Sequence, residues 1–386
     1  MIFRELLQNQ NTKQDLRKEI YLFIQRFGPV SKNEILNKFD LPHTTLTRII
    51  DFLHEQGFIF EAGHGHTTGG RPPIMYNSDP SSGYYLGLEL SRTHVKIVLL
   101  NANFVLITEN SFLLDESYTP EKTVNKIVKT TRDILVLNGI EYQNIVGMGV
   151  GSVGPLDREK GIIISPEGFL AEGWKDVHIV SMLKSHFDFW IHLSNGVDSA
   201  ALAESYEGAC REEKLLYCIN GYGIRCSLIN QGEIYNRKPG DATSYSHIKI
   251  ALNGRICECG NDGCVNAYSS LGAIMQLINE RSQANEISNT NDLLNELYKR
   301  NPIVEEVVLE SAEYYAIALS NIVNSMHPEV IILHGKLIYN YQEYFEKVKE
   351  VLKEKKYPID RSLRIFKGSL GEEATAIGAA MEVLQR

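Results

Sequence analysis

At 386 residues, with 43% hydrophobic and 23% charged residues, the chain carries enough apolar material for two or three globular domains and lacks the profile of a disordered polymer. A net charge of −9 excludes a protein that coats nucleic acid through bulk charge, though not a small DNA-reading module on an acidic body. No apolar run is long enough to span a bilayer, and the opening Met-Ile-Phe-Arg-Glu-Leu-Leu-Gln lacks the basic region and apolar core of a signal peptide, so a cytoplasmic protein without membrane contact is expected.

The first eighty residues read as a separate unit. Leu16, Ile20, Phe23, Ile24 and Phe27 recur at helical spacing from about Lys13 to Phe27, and Gly28-Pro29 ends that helix. A second helix opens at Ser31, where Ser31 and Glu34 form a capping-box pattern and Ile35, Leu36 and Phe39 supply the buried side. After the turn Asp40-Leu41-Pro42-His43, a third helix buries Leu46, Ile49, Ile50 and Leu53 and leaves Thr44, Thr45, Thr47, Arg48 and Asp51 on the outer face. Gly57 closes it. Two apolar stretches, Phe58-Ile59-Phe60 and Ile74-Met75-Tyr76, bracket a Gly-, His- and Thr-rich loop, and the whole is the pattern of a winged helix-turn-helix.

Short hydroxylated side chains beside one Arg suit a helix lying in a major groove, where Arg reads guanine and Thr reaches phosphates or a thymine methyl. Gly69-Gly70-Arg71-Pro72-Pro73 is an extended, hydrogen-bond-poor segment of a shape that enters a narrow minor groove; read blandly, it is an interdomain linker. Lys and Arg balance Asp and Glu one for one over residues 1–80. Non-specific affinity is therefore modest, and useful binding calls for a dimer, or a dimer of dimers, presented to two half-sites of an operator.

From Tyr84 the pattern turns to short apolar strands at Tyr85–Leu90, Val95–Leu100 and Val105–Thr108, then a helix near Pro120–Asn138 and a strand at Ile145–Val150. That strand enters Gly151-Ser152-Val153-Gly154-Pro155-Leu156-Asp157; a helix near Ser181 and a strand at Trp190–Leu193 follow. The order then repeats. A helix at Ser199–Glu207 precedes strands at Leu215–Asn220, Ile224–Asn230 and Glu233–Tyr235, and the helical end is interrupted by Val330–Leu333 and Leu363–Phe366. Two α/β lobes with a cleft between them are expected, over residues 81–195 and 196–386, the C-terminal helix returning to the first lobe.

The most specific chemistry lies in Cys-Glu-Cys-Gly-Asn-Asp-Gly-Cys. Cys257, Cys259 and Cys264, shortly after His247, form a Cys3His set for tetrahedral Zn2+ with no open position, hence a structural zinc. Gly260 and Gly263 let the loop double back so that three sulfurs face one point. The bland alternative is three buried free cysteines and an unrelated histidine. Cys210, Cys218 and Cys226 lack such a context and read as small core hydrophobes.

Together, the N-terminal pattern, Gly69-Gly70-Arg71-Pro72, the Gly-Pro-x-Asp loop at Gly154, and His247 with the cysteine loop resemble the ROK family of sugar kinases and sugar-responsive repressors, over nearly the whole chain. Ser369-Leu370-Gly371 with Ala374 and Gly378-Ala379-Ala380 is similar to the family's C-terminal pattern. The resemblance implies an actin-like, hexokinase-like body from about residue 83, and the N-terminal unit, which the kinases lack, points to the repressor branch of the xylose and N-acetylglucosamine type.

Against the kinase pattern the phosphate loop Asp-x-Gly-Gly-Thr reads Glu89-Leu90-Ser91-Arg92-Thr93, with bulk where the backbone should be bare, and the base of Asn-Asp-x-Asn is replaced in Asn195-Gly196-Val197-Asp198. Loss of a positioned base alone costs on the order of 10²- to 10⁴-fold in rate. The second phosphate loop reads Gly221-Tyr222-Gly223-Ile224-Arg225-Cys226-Ser227, and the adenosine-side glycines are replaced in Leu333-His334-Gly335-Lys336. Two sugar-binding carboxylates are also replaced, in Ser244-Tyr245-Ser246-His247 and at Asn266. Gly154, Asn195 and His247 survive as effector-binding candidates.

The leading expectation is a DNA-binding repressor of carbohydrate-metabolism genes, not an enzyme, controlled by a sugar effector or by a regulatory protein. An atypical ROK sugar kinase using Asp198, and a ligand- or partner-binding protein without DNA readout, are the alternatives.

Overall fold

The computed structural model describes residues 3–8, 12–66, 72–166, 168–207, 214–235, 244–282, 286–355 and 363–384. The chain divides into two compact units, one made of residues 1–152, 158–194 and 379–386, the other of 153–157 and 195–378.

The first unit opens with a helix absent from the sequence reading, α1 (Phe3–Gln8). Its Phe3, Leu6 and Leu7 are buried, Phe3 lying edge-on to Tyr21 and tilted on Phe58. The expected three helices follow as α2 (Thr12–Phe27), α3 (Lys32–Lys38) and α4 (His43–Glu55), with a two-residue strand β1 (Val30–Ser31) between the first two. The capping box forms as its residues require: Ser31 N–H donates to Glu34 Oε2 at 2.7 Å and Glu34 N–H donates to Ser31 Oγ at 3.3 Å. The Ser31 donors hold the Glu34 carboxyl below its ordinary pKa.

Strands β2 (Ile59–His64) and β3 (Ile74–Ser78) pair antiparallel, and β1 adds to the other edge of β3, giving the order β1-β3-β2. Arg4 donates from Nη2 to Ile145 O at 2.6 Å and to Tyr142 O at 3.0 Å, so α1 ties the helical segment to the next sheet.

That sheet is built from β4 (Tyr84–Leu90), β5 (His94–Asn101), β6 (Leu106–Leu113), β7 (Ile145–Ser152) and a later strand, with α5 (Pro120–Leu137) after β6. The short pair β8 (Leu156–Asp157) and β9 (Ile162–Ile163) and the helix α6 (Ile179–Lys184) lead to that later strand, β10 (Trp190–Asn195). Strand order is β10-β7-β4-β5-β6, with β4 and β7 parallel and Leu88 opposite Val150. Nearly every residue of β4, β5 and β7 is buried, on alternating sides alike, which matches a sheet covered on both faces.

The second unit repeats the plan. Helix α7 (Gly196–Glu207) precedes β11 (Leu215–Asn220), β12 (Ile224–Asn230) and β13 (Glu233–Ile234). Helices α8 (Asn266–Ser269), α9 (Leu271–Arg281), α10 (Thr290–Tyr298) and α11 (Pro302–Met326) come next. Then come β14 (Val330–His334), α12 (Lys336–Asn340), α13 (Gln342–Lys355), β15 (Arg364–Lys367) and α14 (Ala374–Glu382). The sheet runs β13-β12-β11-β14-β15, β11, β14 and β15 being parallel. Its main core joins Leu216, Cys218, Cys226 and Leu333 to Val265, Ile274, Leu319 and Val348. Cys218 and Cys226 thus lie in the core as expected; Cys210 falls outside the described residues. Among the described residues no helix is long and apolar enough to cross a membrane.

Candidate metal centre and candidate nucleic-acid interface

His247 ends a short 3₁₀ turn, and Cys257, Cys259 and Cys264 come from the loop that follows. Backbone bonds fold that loop into a knuckle: Cys257 N–H donates to Asn261 O at 2.7 Å, Gly260 N–H to Cys257 O at 2.9 Å and Gly263 N–H to Arg255 O at 2.8 Å. Gly260 and Gly263 take the left-handed conformation, at φ +84° and +70°. Ile250 N–H donates to Gly263 O and Val265 N–H to Ile248 O, which stitches the knuckle's return strand beside His247 and plants Val265 in the main core.

One ligand atom from each of the four residues lies within 4.8 Å of the others. A tetrahedron with Zn–S of about 2.3 Å and Zn–N of about 2.0 Å has S···S edges of about 3.8 Å and S···N edges of about 3.5 Å. Cys259 Sγ and Cys264 Sγ are 3.8 Å apart, and Cys257 Sγ lies 3.6 Å from His247 Nδ1. These two separations match a tetrahedral metal's edges, and the cluster can hold a metal ion.

Without an ion the thiols differ. Burial lifts Cys257 and takes Cys264 up to about 12, whereas donors from Asn261 bring exposed Cys259 down to about 7. A cation would draw all three to thiolate.

The same knuckle carries a contact that residue spacing did not reveal. Asn266 Nδ2 donates to Glu258 Oε1 at 2.8 Å, and Asn266 Oδ1 accepts from Ile224 N–H at 3.4 Å. Glu258, held between two metal-site cysteines, thus sets a carboxylate beside Asn266, where the family pattern has its Glu.

Of the effector candidates, Gly154 and Asn195 are neighbours: a Cβ on Gly154 would lie 3.3 Å from Asn195 Nδ2. Asn195 is buried, its Oδ1 accepting from Val197 N–H at 3.3 Å at the start of α7. The described contact of His247 is with Cys257 rather than with this pair. Asp198 is buried in the first turn of α7.

In the β4–β5 turn the structure changes one part of the sequence reading, that of Leu90, and adds a second feature. Leu90 is wholly buried in the core and does not stand over the turn. Ser91 Oγ accepts from Thr93 N–H at 3.3 Å and His94 N–H at 3.1 Å, while Ser91 N–H donates to His94 O at 3.0 Å. The amides that would cradle a phosphate are spent inside the turn. His94 also faces Glu89, Nε2 to Oε2, at 3.7 Å.

On α4, Leu46, Ile49, Ile50 and Leu53 are buried as expected, Thr44 and Arg48 are exposed, and Thr45 and Thr47 are half-buried. Thr47 Oγ1 is 3.5 Å from His43 Nδ1, and Arg17 of α2 sits 3.9 Å over the Phe52 ring, fixing α4 on its inner side. Gly69, Gly70 and Arg71 lie outside the described residues.

Comparison with known proteins places these features. The pattern described as ROK family matches residues 85–386. The chain belongs to the ROK family. Its relatives include a xylose repressor of Bacillus spizizenii, 24% identical with 94% of this chain and 93% of the relative aligned. The DNA-binding transcriptional dual regulator NagC of Escherichia coli is 23% identical over 82% and 79%. Among solved structures, a ROK family transcriptional regulator described as a homolog of E. coli MLC superposes with a TM-score of 0.80 at 18% identity, covering 97% of this chain and 96% of its own. A ROK hexokinase of Thermus thermophilus superposes at 0.67 and 23% identity, covering 78% of this chain with all of its own. The body therefore has the sugar-kinase-like ROK fold.

Proposed function

We propose that this ROK protein is a sequence-specific DNA-binding transcriptional regulator, a repressor of carbohydrate-metabolism genes whose body answers a sugar or sugar derivative without phosphorylating it. One observation carries the proposal. The hexokinase is matched over its entire length yet leaves about a fifth of this chain uncovered, whereas the regulator is matched from end to end. The surplus is about as long as the segment before residue 85, where the family match begins.

Residues 1–80 serve as a winged helix-turn-helix: α3 and α4 are the helix pair, β2 and β3 the wing. Thr44, Thr45, Thr47 and Arg48 of α4 meet base edges and phosphates, and Gly69, Gly70 and Arg71 enter the adjacent minor groove. The even charge balance of this segment makes two copies necessary, so the active species is a homodimer or a dimer of dimers on a two-fold symmetric operator.

Zn2+ is the ion for the Cys3His cluster, with a structural role: it holds His247 and, through Cys257 and Cys259, the Glu258–Asn266 contact. Gly154 and Asn195 line the effector site. An effector acts by binding one body conformation better than another and thereby shifting operator affinity. The self-closed Ser91 turn and the missing base at Gly196 argue against the kinase alternative, and the full-length likeness to regulators argues against a binding protein without DNA readout.

Selection from random duplex DNA with the full-length, zinc-loaded protein at a stated salt concentration tests this. Enrichment of a two-fold symmetric site supports it. Failure to enrich any site, together with ATP-dependent phosphorylation of a hexose, would replace it with the kinase reading.

A further inference from the structure

The four ligands of the metal cluster are not equally protected. Cys257 and Cys264 are buried, whereas Cys259 is exposed. The Cys264 end is fixed from behind: Lys249 and Cys264 form an antiparallel bridge, and Val265 N–H bonds Ile248 O at 3.0 Å. Cys259 stands in the turn closed by Gly260, around which a side chain would meet nothing within 4 Å. One sulfur belongs to an exposed residue in a turn with open space around it, and 3.8 Å away a second is fixed to the core. The molecule supplies an internal contrast, since Cys218 and Cys226 face each other across β11 and β12 but are wholly buried.

We propose that Cys259 is a modification site, the oxidant-addressable sulfur of the metal centre, and that peroxide oxidation closes a Cys259–Cys264 disulfide and discharges the metal. The Cys259 thiolate attacks one peroxide oxygen, the O–O bond breaks, and the departing hydroxide takes a proton to become water, leaving a sulfenic acid. The Cys264 sulfur then attacks that sulfenic sulfur, the S–O bond breaks, and the second hydroxide leaves as water. In sum two metal-bound thiolates, one hydrogen peroxide and two protons from solvent give one disulfide and two waters. His247 and Cys257 remain, half of a tetrahedral set, and the ion leaves. With it goes the anchorage of Glu258, which stands between Cys257 and Cys259 in the chain and accepts from Asn266. The discharge of the ion rests on the zinc reading above; the sulfur chemistry and its peptide map do not depend on the regulator reading.

The test uses the full-length protein, reduced, zinc-loaded and freed of excess metal, with zinc content measured first. Hydrogen peroxide is expected to release one zinc ion per chain to a chromogenic chelator, in step with a Cys259–Cys264 cross-linked peptide by mass spectrometry, with Cys218 and Cys226 still reduced. A reductant and added zinc should restore the starting state. Cys259→His, which keeps a Cys2His2 set, should hold zinc and release it about tenfold more slowly or less under the same peroxide. If that variant does not hold zinc, trace iodoacetamide on the wild-type protein decides, and the first label should fall on Cys259.

First labelling at Cys257, Cys264 or Cys218, a disulfide other than Cys259–Cys264, or retention of zinc under peroxide would overturn the proposal. A reduced protein without zinc would instead refute the metal assignment, and a protein without an operator would refute the regulator assignment; the peptide map stands apart from both.

Discussion

Replacing Gly263 by Ala puts the geometry of the metal knuckle to a quantitative test, because Gly260→Ala serves as its control. Both glycines are left-handed, which costs an L-residue about 1 kcal/mol or somewhat more. At Gly260 nothing lies within 4 Å of the new Cβ, so the cost stops there. At Gly263 the Cβ collides with the Ala251 carbonyl, a backbone group that cannot turn aside. The loop must shift, and Gly263 then risks both of its bonds, N–H to Arg255 O and O from Ile250 N–H.

Each such bond is worth about 1 kcal/mol net, which brings the total to about 3 kcal/mol against about 1 for Gly260→Ala. Because Cys264 is the next residue, most of this should appear in metal binding, as zinc affinity reduced by about 10²-fold against less than about tenfold for the control. Competition against a chromogenic chelator measures it. Equal affinities for the two variants would refute the knuckle geometry.

The other predictions concern caps, contacts and protons. Ser31→Ala removes the N-cap of α3 and should cost about 1 kcal/mol at neutral pH by thermal unfolding. Since the Ser31 hydroxyl's bond to the carboxylate lowers the Glu34 pKa, that part of the stability is present above the unfolded carboxylate value and lost as pH falls through the folded one, so the gap between the two proteins should narrow in acid without closing. Arg48→Ala and Arg71→Ala should each weaken operator binding by about 1–3 kcal/mol with unchanged melting temperature, read by fluorescence anisotropy. In the metal-free protein Cys264 is raised to about 12, so the neutral thiol is favoured in the fold and stability should fall as pH rises past the unfolded thiol value, near 8.5. Zinc reverses that trend, with protons released on binding, which calorimetry in buffers of different ionisation enthalpy would detect.

Much of this molecule was legible in its residues for identifiable reasons. The strands of both sheets announced themselves as short apolar runs, because β4, β5, β7, β11 and β14 are buried on both faces and have no polar side to blur the signal. The capping box and the cysteine cluster were legible because both are local, each needing only a few residues at fixed spacing.

What the sequence hid depends on partners far along the chain. Helix α1 has six residues and is held by Tyr21, Phe58 and the carbonyls of Tyr142 and Ile145, none of which its own periodicity records. Strand β1 is two residues long and exists because β3 lies beside it. Leu90 looked like an obstacle over the phosphate turn because sequence gives a side chain's size but not its direction, and the hydroxyl of Ser91 proved to be what occupies the amides. The Glu258 contact escaped for the same reason, since nothing in Cys-Glu-Cys says that the middle side chain reaches Asn266.

The central claim is that the body senses a sugar and answers through DNA affinity rather than through phosphate transfer. Titrating the complex with its selected operator against a panel of hexoses, pentoses and amino sugars, with and without Mg-ATP, tests this most directly. One sugar should weaken operator binding by about 5- to 150-fold, a coupling of about 1–3 kcal/mol, to the same extent whether or not ATP is present. Release that requires ATP, with phosphorylated sugar accumulating, would contradict the account.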